Sequence, residues 1–426
     1  MANLIVKNGR VIDPASGFDK VADVLLRDGV VGEVGENLTA VNAEVFDASG
    51  LIVAPGFIDM HVHLREPGFE HSETIESGAR AAAAGGFTSV CCMPNTKPVN
   101  DNATVTSYIV ERARKYAATN VFPIGAITRN SGGEELAAIA SMKQAGIVAI
   151  SDDGRPVMNA RVMRRAMEFA HSLDLPVIDH CEDLHLSAGG DMHEGLESVR
   201  LGLRGIPAAS EDVMVARDIL LAELTGARFH VAHISSSHSV AMVDFAKRKG
   251  LPVTCEATPH HFALSDSQVC SYDSNYKMKP PLRSTPHVTA VAKGVVSGAV
   301  DVIATDHAPH AGSEKMQEFE RCPFGVLGLE TAIGVALERL VHTGLIPVSK
   351  LVSLFAANPA RILKLDRGTL APGAAADVTI FDTNHEWVYD VNRSASKSRN
   401  SPFHGRTFRG GPVATIVNGV FVWRRD

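Results

Sequence analysis

Eight short apolar runs, at residues 58–64, 88–94, 121–127, 147–151, 176–181, 228–234, 252–257 and 301–305, recur through the middle of this 426-residue chain. Stretches rich in Ala and Leu separate them, among them 72–84, 105–118 and 160–173. Near-continuous apolar strands are buried on both faces, which is how a parallel sheet reads in sequence. Eight strand–helix units over about 300 residues predict a (β/α)8 TIM-type barrel of the α/β class. An open doubly wound sheet is the alternative, weakened because no GxGxxG follows the first strand.

The two ends differ from the middle. Near the start, short β-rich runs are punctuated by Asn8-Gly9, Asp28-Gly29 and Ser49-Gly50; near the end, Asn418-Gly419 separates two more. Asn-Gly between apolar runs is a hairpin signal. The expected division is a composite β-sandwich domain from 1–55 and 361–426, and a barrel over 56–360. Hydrophobic residues make up 45% and charged residues 21%, which excludes a disordered or collagen-like chain. Aromatics are only 6% and the net charge is -7, so neither nucleic acid nor an anionic membrane is an expected partner. The six cysteines form no CxxC pair and mostly lie in apolar runs, as buried thiols of a reducing compartment do. Met1, Ala2, Asn3 and Leu4 do not begin a basic, then apolar, leader, and no apolar run is long enough to span a membrane. A cytoplasmic protein is the expectation.

Barrels of this kind carry their active sites at the C-terminal ends of the strands. Strand one ends in His61-Val62-His63, and residues i and i+2 of a strand point the same way, so both imidazoles can reach one ion. Strand four ends in Asp152-Asp153, strand five in Asp179-His180, strand six in His233, and strand eight in Asp306-His307. A lone strand-end His is more often a satisfied polar residue than a ligand. Imidazoles and carboxylates at one end of five strands are a donor set for zinc or a related divalent ion. Six donors with one shared carboxylate look more like two ions, about 3.5–4 Å apart, than one.

Read in order, residues 58–68 (IDMHVHLREPG), 92–96 (CMPNT), 151–154 (SDDG), 179–182 (DHCE), 232–235 (AHIS), 305–310 (TDHAPH) and 323–325 (PFG) resemble the motifs of the dihydroorotases of the amidohydrolase superfamily, in the long bacterial form. The resemblance spans essentially the whole chain. It implies reversible closure of N-carbamoyl-L-aspartate to (S)-dihydroorotate with loss of water, in pyrimidine synthesis. It further implies two zinc ions. His61, His63 and Asp306 would hold the first, His180 and His233 the second, and Asp153 would bridge them. A hydroxide between the ions would attack the ring carbonyl, and Asp306 would shuttle the proton to the leaving nitrogen. The substrate contacts implied are His63, Leu64, Arg65, Asn95, His310, Phe324 and Gly325, with the Arg65 fork on the carboxylate. A homodimer is also expected, and binding to an aspartate transcarbamoylase partner stays open.

Two departures and two rival readings bear on this. Related hydantoinases and allantoinases usually bridge their metals with a carbamylated lysine at the end of strand four, and residues 147–154 contain no Lys. Asp153 needs no such modification. The motif resembling Lys-Met-Asn-Pro-Pro-Leu-Arg carries Lys279 in place of the Asn that meets substrate. Lys279 either replaces that contact with a charge or points to solvent, leaving Lys277 or a water to serve. A polar stretch, 311–322, is expected as a mobile cover, or else as an ordinary surface loop. The remaining histidines are assigned to surface, core or support roles, with His307 the foremost supporting candidate. The rivals are another cyclic amidase, disfavoured by Asp153, Arg65 and Asn95, and an inactive scaffold, disfavoured because all six ligands are present.

Overall fold

The computed structural model describes residues 3–425. Met1, Ala2 and Asp426 lie outside the described residues, so the reading of the first four residues and the outermost ends of the terminal segments extend beyond them.

Seven barrel strands run Phe57–Val62, Phe87–Cys92, Asn120–Pro123, Val177–Asp179, Phe229–Val231, Val253–Ala257 and Val302–Ile303. Every pairing among them is parallel. The expected fourth strand is reduced to backbone bridges that join Ile150 to Gly125 on one side and to Val177 on the other. The ring closes where Val62 bridges His307 and the His63 N–H donates to the His307 carbonyl at 2.8 Å. The strands are shorter than the apolar runs because the C-terminal residues of several runs leave the ladder. His233 and Asp306 there adopt φ of 30° and 48°, a left-handed backbone that L residues seldom take and that concentrates at functional sites.

Inside the barrel, Met60, Cys91, Met93, Ile124, Ala149, Ile178, Ala232, Val302 and Ala304 form one buried cluster with Ile362 and Leu363. The last two come from the helix Asn358–Leu363. Arg228, just before the sixth strand, donates to the Ile362 carbonyl at 2.6 Å. This helix therefore plugs the N-terminal mouth and leaves the C-terminal mouth for chemistry. The outer helices start where the sequence supplies caps. Ile75–Ala84 begins at Thr74, which shares a reciprocal capping box with Ser77, and Ala103–Tyr116 and Ala160–Ser172 begin at Asn102 and Asn159.

The two ends of the chain share one eight-stranded sheet. Ile52–Pro55 lies antiparallel to Val378–Val388, with Pro55 opposite Val378 and Ile52 opposite Phe381. At the far edge, Val30 bridges Ala375, so the sheet folds back over an apolar core that includes Val6, Val11, Val24, Val53, Ile380 and Ile416. No helix among the described residues is long and apolar enough to cross a membrane.

Candidate metal centre and active site

His61 and His63 project from the end of the first strand, two residues apart, and the rest of the chain decides which ring nitrogen each presents. The buried Glu256 sits on the seventh strand. Its Oε1 lies 2.7 Å from His61 Nδ1, while its Oε2 is 3.2 Å from His230 Nε2. Asn95 Oδ1 takes the Nδ1 proton of His63 at 2.9 Å. Both Nε2 atoms are thereby turned inward as lone-pair donors. Asp59 braces the same strand end: its carboxylate accepts from the backbone of His61 and Thr305 and from the Thr305 hydroxyl.

The inward atoms converge. Asp306 Oδ1 lies 3.1 Å from His63 Nε2 and 3.6 Å from His61 Nε2. Asp153 Oδ1 is 3.3 Å from His61 Nε2, 3.6 Å from His180 Nδ1 and 3.7 Å from His233 Nε2, and its Oδ2 is 3.5 Å from His63 Nε2. His180 Nδ1 and His233 Nε2 stand 2.8 Å apart. Two ligands about 2.1 Å from one tetrahedral ion sit roughly 3.4 Å from each other, close to these spacings. His61 Nε2 and Asp153 Oδ1 are also buried and make no hydrogen bond within the protein. Buried lone pairs aimed at one another are satisfied by a cation between them, so the donor set fits a divalent metal.

Electrostatics point the same way. Burial disfavours charge on His61, yet the Asp153 and Glu256 carboxylates outweigh it and raise its pKa well above that of a free imidazole. His180 is likewise pushed up to about 10, against burial, by Asp153 and Glu182. Burial also opposes ionisation of Asp153 and Asp306, but the imidazoles around them win and hold both far below the usual carboxylate range. Ionised, acceptor-only carboxylates packed on imidazoles draw positive charge to this spot.

The adjacent aspartates part company. Asp152 turns away and accepts from the backbone of Ile127 and Thr128, and only Asp153 enters the centre. A separate buried group, Asp179, Cys181 and Asp218, already has its cation in Arg217, whose guanidinium forks onto Asp218 at 2.8 and 3.0 Å. His307 lends its backbone to barrel closure, while its ring accepts from the Gly328 N–H at 3.2 Å and faces Glu73.

The substrate side is more varied. Arg65, at φ 61°, donates to the Pro309 carbonyl at 3.1 Å and lies 3.4 Å from His310 Nε2, and it forms no ion pair with a described carboxylate. Burial and the positive charge of Arg65 lower the His310 pKa to about 3, so His310 is a neutral imidazole beside a guanidinium with no anionic partner among the described residues. His310 Nε2 is held by the Phe324 carbonyl at 2.8 Å. Gly325 has φ 135°, and a Cβ there would come within 2.8 Å of the Ala308 side chain, so only glycine lets this loop close against the barrel rim. Two expected contacts are partly committed elsewhere. Asn95 spends its amide on His63 and, at 3.4 Å, on Asp153, which makes it an orienting residue as it stands. The Leu64 side chain is buried in the barrel wall, leaving its backbone alone to face the mouth.

Lys279 does not point to solvent. Its Nζ is 2.8 Å from Glu182 Oε1 and 5.1 Å from the centre of the Phe324 ring. Lys277 is buried and donates to the carbonyls of Phe319 and Glu320. Lys315 donates to those of Pro323 and Gly325, so residues 311–322 are tied down through two buried lysines. Glu256 was absent from the sequence reading, and Asp59 and Glu182 stood in its motifs without a role. For Asp59 and Glu256 the available signal is a charged residue inside an otherwise apolar run. His260, assigned no role there, is buried at the same mouth, where its Nε2 makes no hydrogen bond and the charges of Asp306, His233 and His61 reach it.

Fold and site together define a barrel hydrolase with a divalent-metal centre at the C-terminal mouth. The Dihydro-orotase-like family profile matches residues 50–239. The chain is 70% identical over 423 residues to the dihydroorotase of Solibacter usitatus (strain Ellin6076), covering 99% of this chain and 98% of that one. It is 51% identical over 424 residues to the dihydroorotase of Geobacter metallireducens (strain ATCC 53774 / DSM 7210 / GS-15), covering 99% and 100%. Among solved structures, the L-hydantoinase (dihydropyrimidinase) from Arthrobacter aurescens superposes with a TM-score of 0.90 at 25% identity, over 100% of this chain and 96% of that one. The chain belongs to the dihydroorotase family and is a hydrolase of cyclic amides.

Proposed function

We propose that this enzyme interconverts N-carbamoyl-L-aspartate and (S)-dihydroorotate in pyrimidine synthesis, with two zinc ions per chain. The observation that carries the reading is Asp153. An ionised carboxylate on the fourth barrel segment reaches both the His61–His63 pair and the His180–His233 pair, where a hydantoinase-type lysine would need prior carbamylation. His61, His63 and Asp306 would hold one ion, His180 and His233 the other, with Asp153 shared. Zinc suits a set of imidazole and carboxylate donors. Bound there, it would polarise the amide carbonyl and acidify the attacking water.

The chain's own residues do the rest. In hydrolysis, Asp306 takes a proton from the attacking water and passes it to the ring nitrogen as the C–N bond breaks. In closure it takes the proton from the attacking ureido nitrogen and gives it to the departing oxygen, which takes its second proton from solvent and leaves as water. Asp306 suits this double duty because its Oδ1 meets His63 Nε2 at 3.1 Å, which leaves its second oxygen for a proton. Arg65 anchors the carboxylate that survives ring closure, as a forked, charge-assisted contact. His310, neutral and with its Nε2–H given to the Phe324 carbonyl, lines the same anion site beside Arg65, and Asn95 and the Phe324–Gly325 backbone border the ring. We divide the chain into a barrel over 56–360 and a sheet domain from 1–55 and 361–426. We also take the enzyme to be a cytoplasmic homodimer, open to an aspartate transcarbamoylase partner. Six free thiols support the location, and exposed Val213, Leu220 and Leu224 on the helix Ala209–Thr225 support a protein contact.

The test is an assay of purified enzyme with dihydroorotate, allantoin and hydantoin, with metal analysis on the same sample. Turnover of dihydroorotate alone, with about two zinc ions per chain, is expected. Preference for a neutral ring would overturn the substrate assignment, and a single ion would reduce the centre to a one-zinc form.

A further inference from the structure

We propose that Lys279 is a positioning residue that weakens the hold of the His180–His233 half of the centre on its ion, acting through Glu182. The inference rests on the metal reading above and deepens it. Glu182 is nearly buried and serves two partners of opposite effect. Its Oε2 lies 3.1 Å from His180 Nε2, and its Oε1 lies 2.8 Å from Lys279 Nζ. His180 uses its other nitrogen, Nδ1, toward Asp153 and His233. A carboxylate on one imidazole nitrogen raises the donor strength of the other. An ammonium on that same carboxylate takes back part of the effect.

The lysine is held in this role. Its side chain is only 27% exposed, and its ammonium lies 5.1 Å from the centre of the Phe324 ring. The other half of the centre lacks the device. Glu256 stands behind His61 as Glu182 stands behind His180, yet its partners among the described residues are the imidazoles of His61 and His230 and the His233 backbone N–H, with no lysine. The chain thus brakes one of two otherwise similar carboxylate–imidazole pairs.

The experiment follows zinc release from fully loaded enzyme to a chromogenic chelator, in wild type and in Lys279→Met, Lys279→Arg and Glu182→Gln. The phase belonging to this half is the one that His233→Ala lacks. Outer partners of metal ligands typically change affinity by about 10–100-fold. Glu182→Gln should weaken retention by that order, whereas Lys279→Met should strengthen it by roughly tenfold, and Lys279→Arg should stay near wild type. Opposite signs from the two partners of one ion pair separate charge tuning from loosened packing, which would weaken retention in both. Unchanged or weaker retention in Lys279→Met overturns the inference and leaves the metal reading standing. Wild-type enzyme with no ion in this half overturns both.

Discussion

The two histidine pairs at the barrel mouth, each proposed to hold one ion and so to form half of the centre, are braced differently. In the first half, His61 and His63 share one strand. Their outer nitrogens are fixed by Glu256 and Asn95, and Asp306 closes over them from the neighbouring strand. In the second half, His180 and His233 come from separate strands. His180 leans on a carboxylate shared with Lys279, and His233 Nδ1 makes no hydrogen bond. Similar donor chemistry therefore does not mean equal affinity. The number of groups that immobilise a ligand decides how much ordering remains to be done when the ion arrives.

The largest effect should come from the residue both halves share. Asp153→Ala removes the carboxylate that neutralises both histidine pairs, and zinc content should fall for both ions together, with turnover lost. Metal analysis after gel filtration checks this; loss of only one ion would show that Asp153 serves one half and does not bridge. Next, Asp306→Asn keeps a neutral oxygen for the first half but cannot carry a proton. Turnover should drop about 10²–10⁴-fold in both directions with both ions retained. If turnover returns to normal once lost metal is restored, Asp306 is a ligand only.

Arg65→Met leaves the stem and removes the fork. Loss of a charge-assisted contact of about 2–4 kcal/mol lowers kcat/KM by roughly thirty- to a thousand-fold. Zinc content should not change in either half, and near-normal kcat/KM would place the carboxylate anchor elsewhere. The smallest expected effect sharpens the comparison itself. Glu256→Gln should weaken the first-half ion by about 10–100-fold and leave the second half alone, as read by chelator competition. Equal loss from both halves would mean that its contact with the His233 backbone matters as much as its contact with the His61 ring.

Much of the centre was legible because the barrel imposes it. His61 and His63 are two apart on a strand, and Asp153, His180, His233 and Asp306 each end an apolar run, so topology alone brings them to one mouth. The supports were not legible in the same way. Glu256 lies two strands from His61 around the ring, and 195 residues away in the chain. Asn95 reads equally well as a substrate donor or as the hydrogen-bond acceptor of His63, and only distance to Nδ1 separates the two. The 311–322 segment looked like a free cover because its sequence is polar. Its anchors, Lys277 and Lys315, are lysines, which hydropathy alone places at the surface.

By itself, then, the sequence determined the barrel and the joining of the two ends, and it nominated the six donors proposed for the centre. These follow from periodicity and from motif order along the chain, both of which are local or repeat regularly. Tertiary structure alone decided which nitrogen of each histidine faces inward, that Asp152 turns away to the backbone of Ile127 and Thr128, and that Lys279 turns to Glu182. The physical reason is one of range. A strand's alternation fixes where a side chain points to within a face. The choice between two ring nitrogens, or between two neighbouring carboxylates, is made by hydrogen-bond partners a few ångströms away that arrive from other strands.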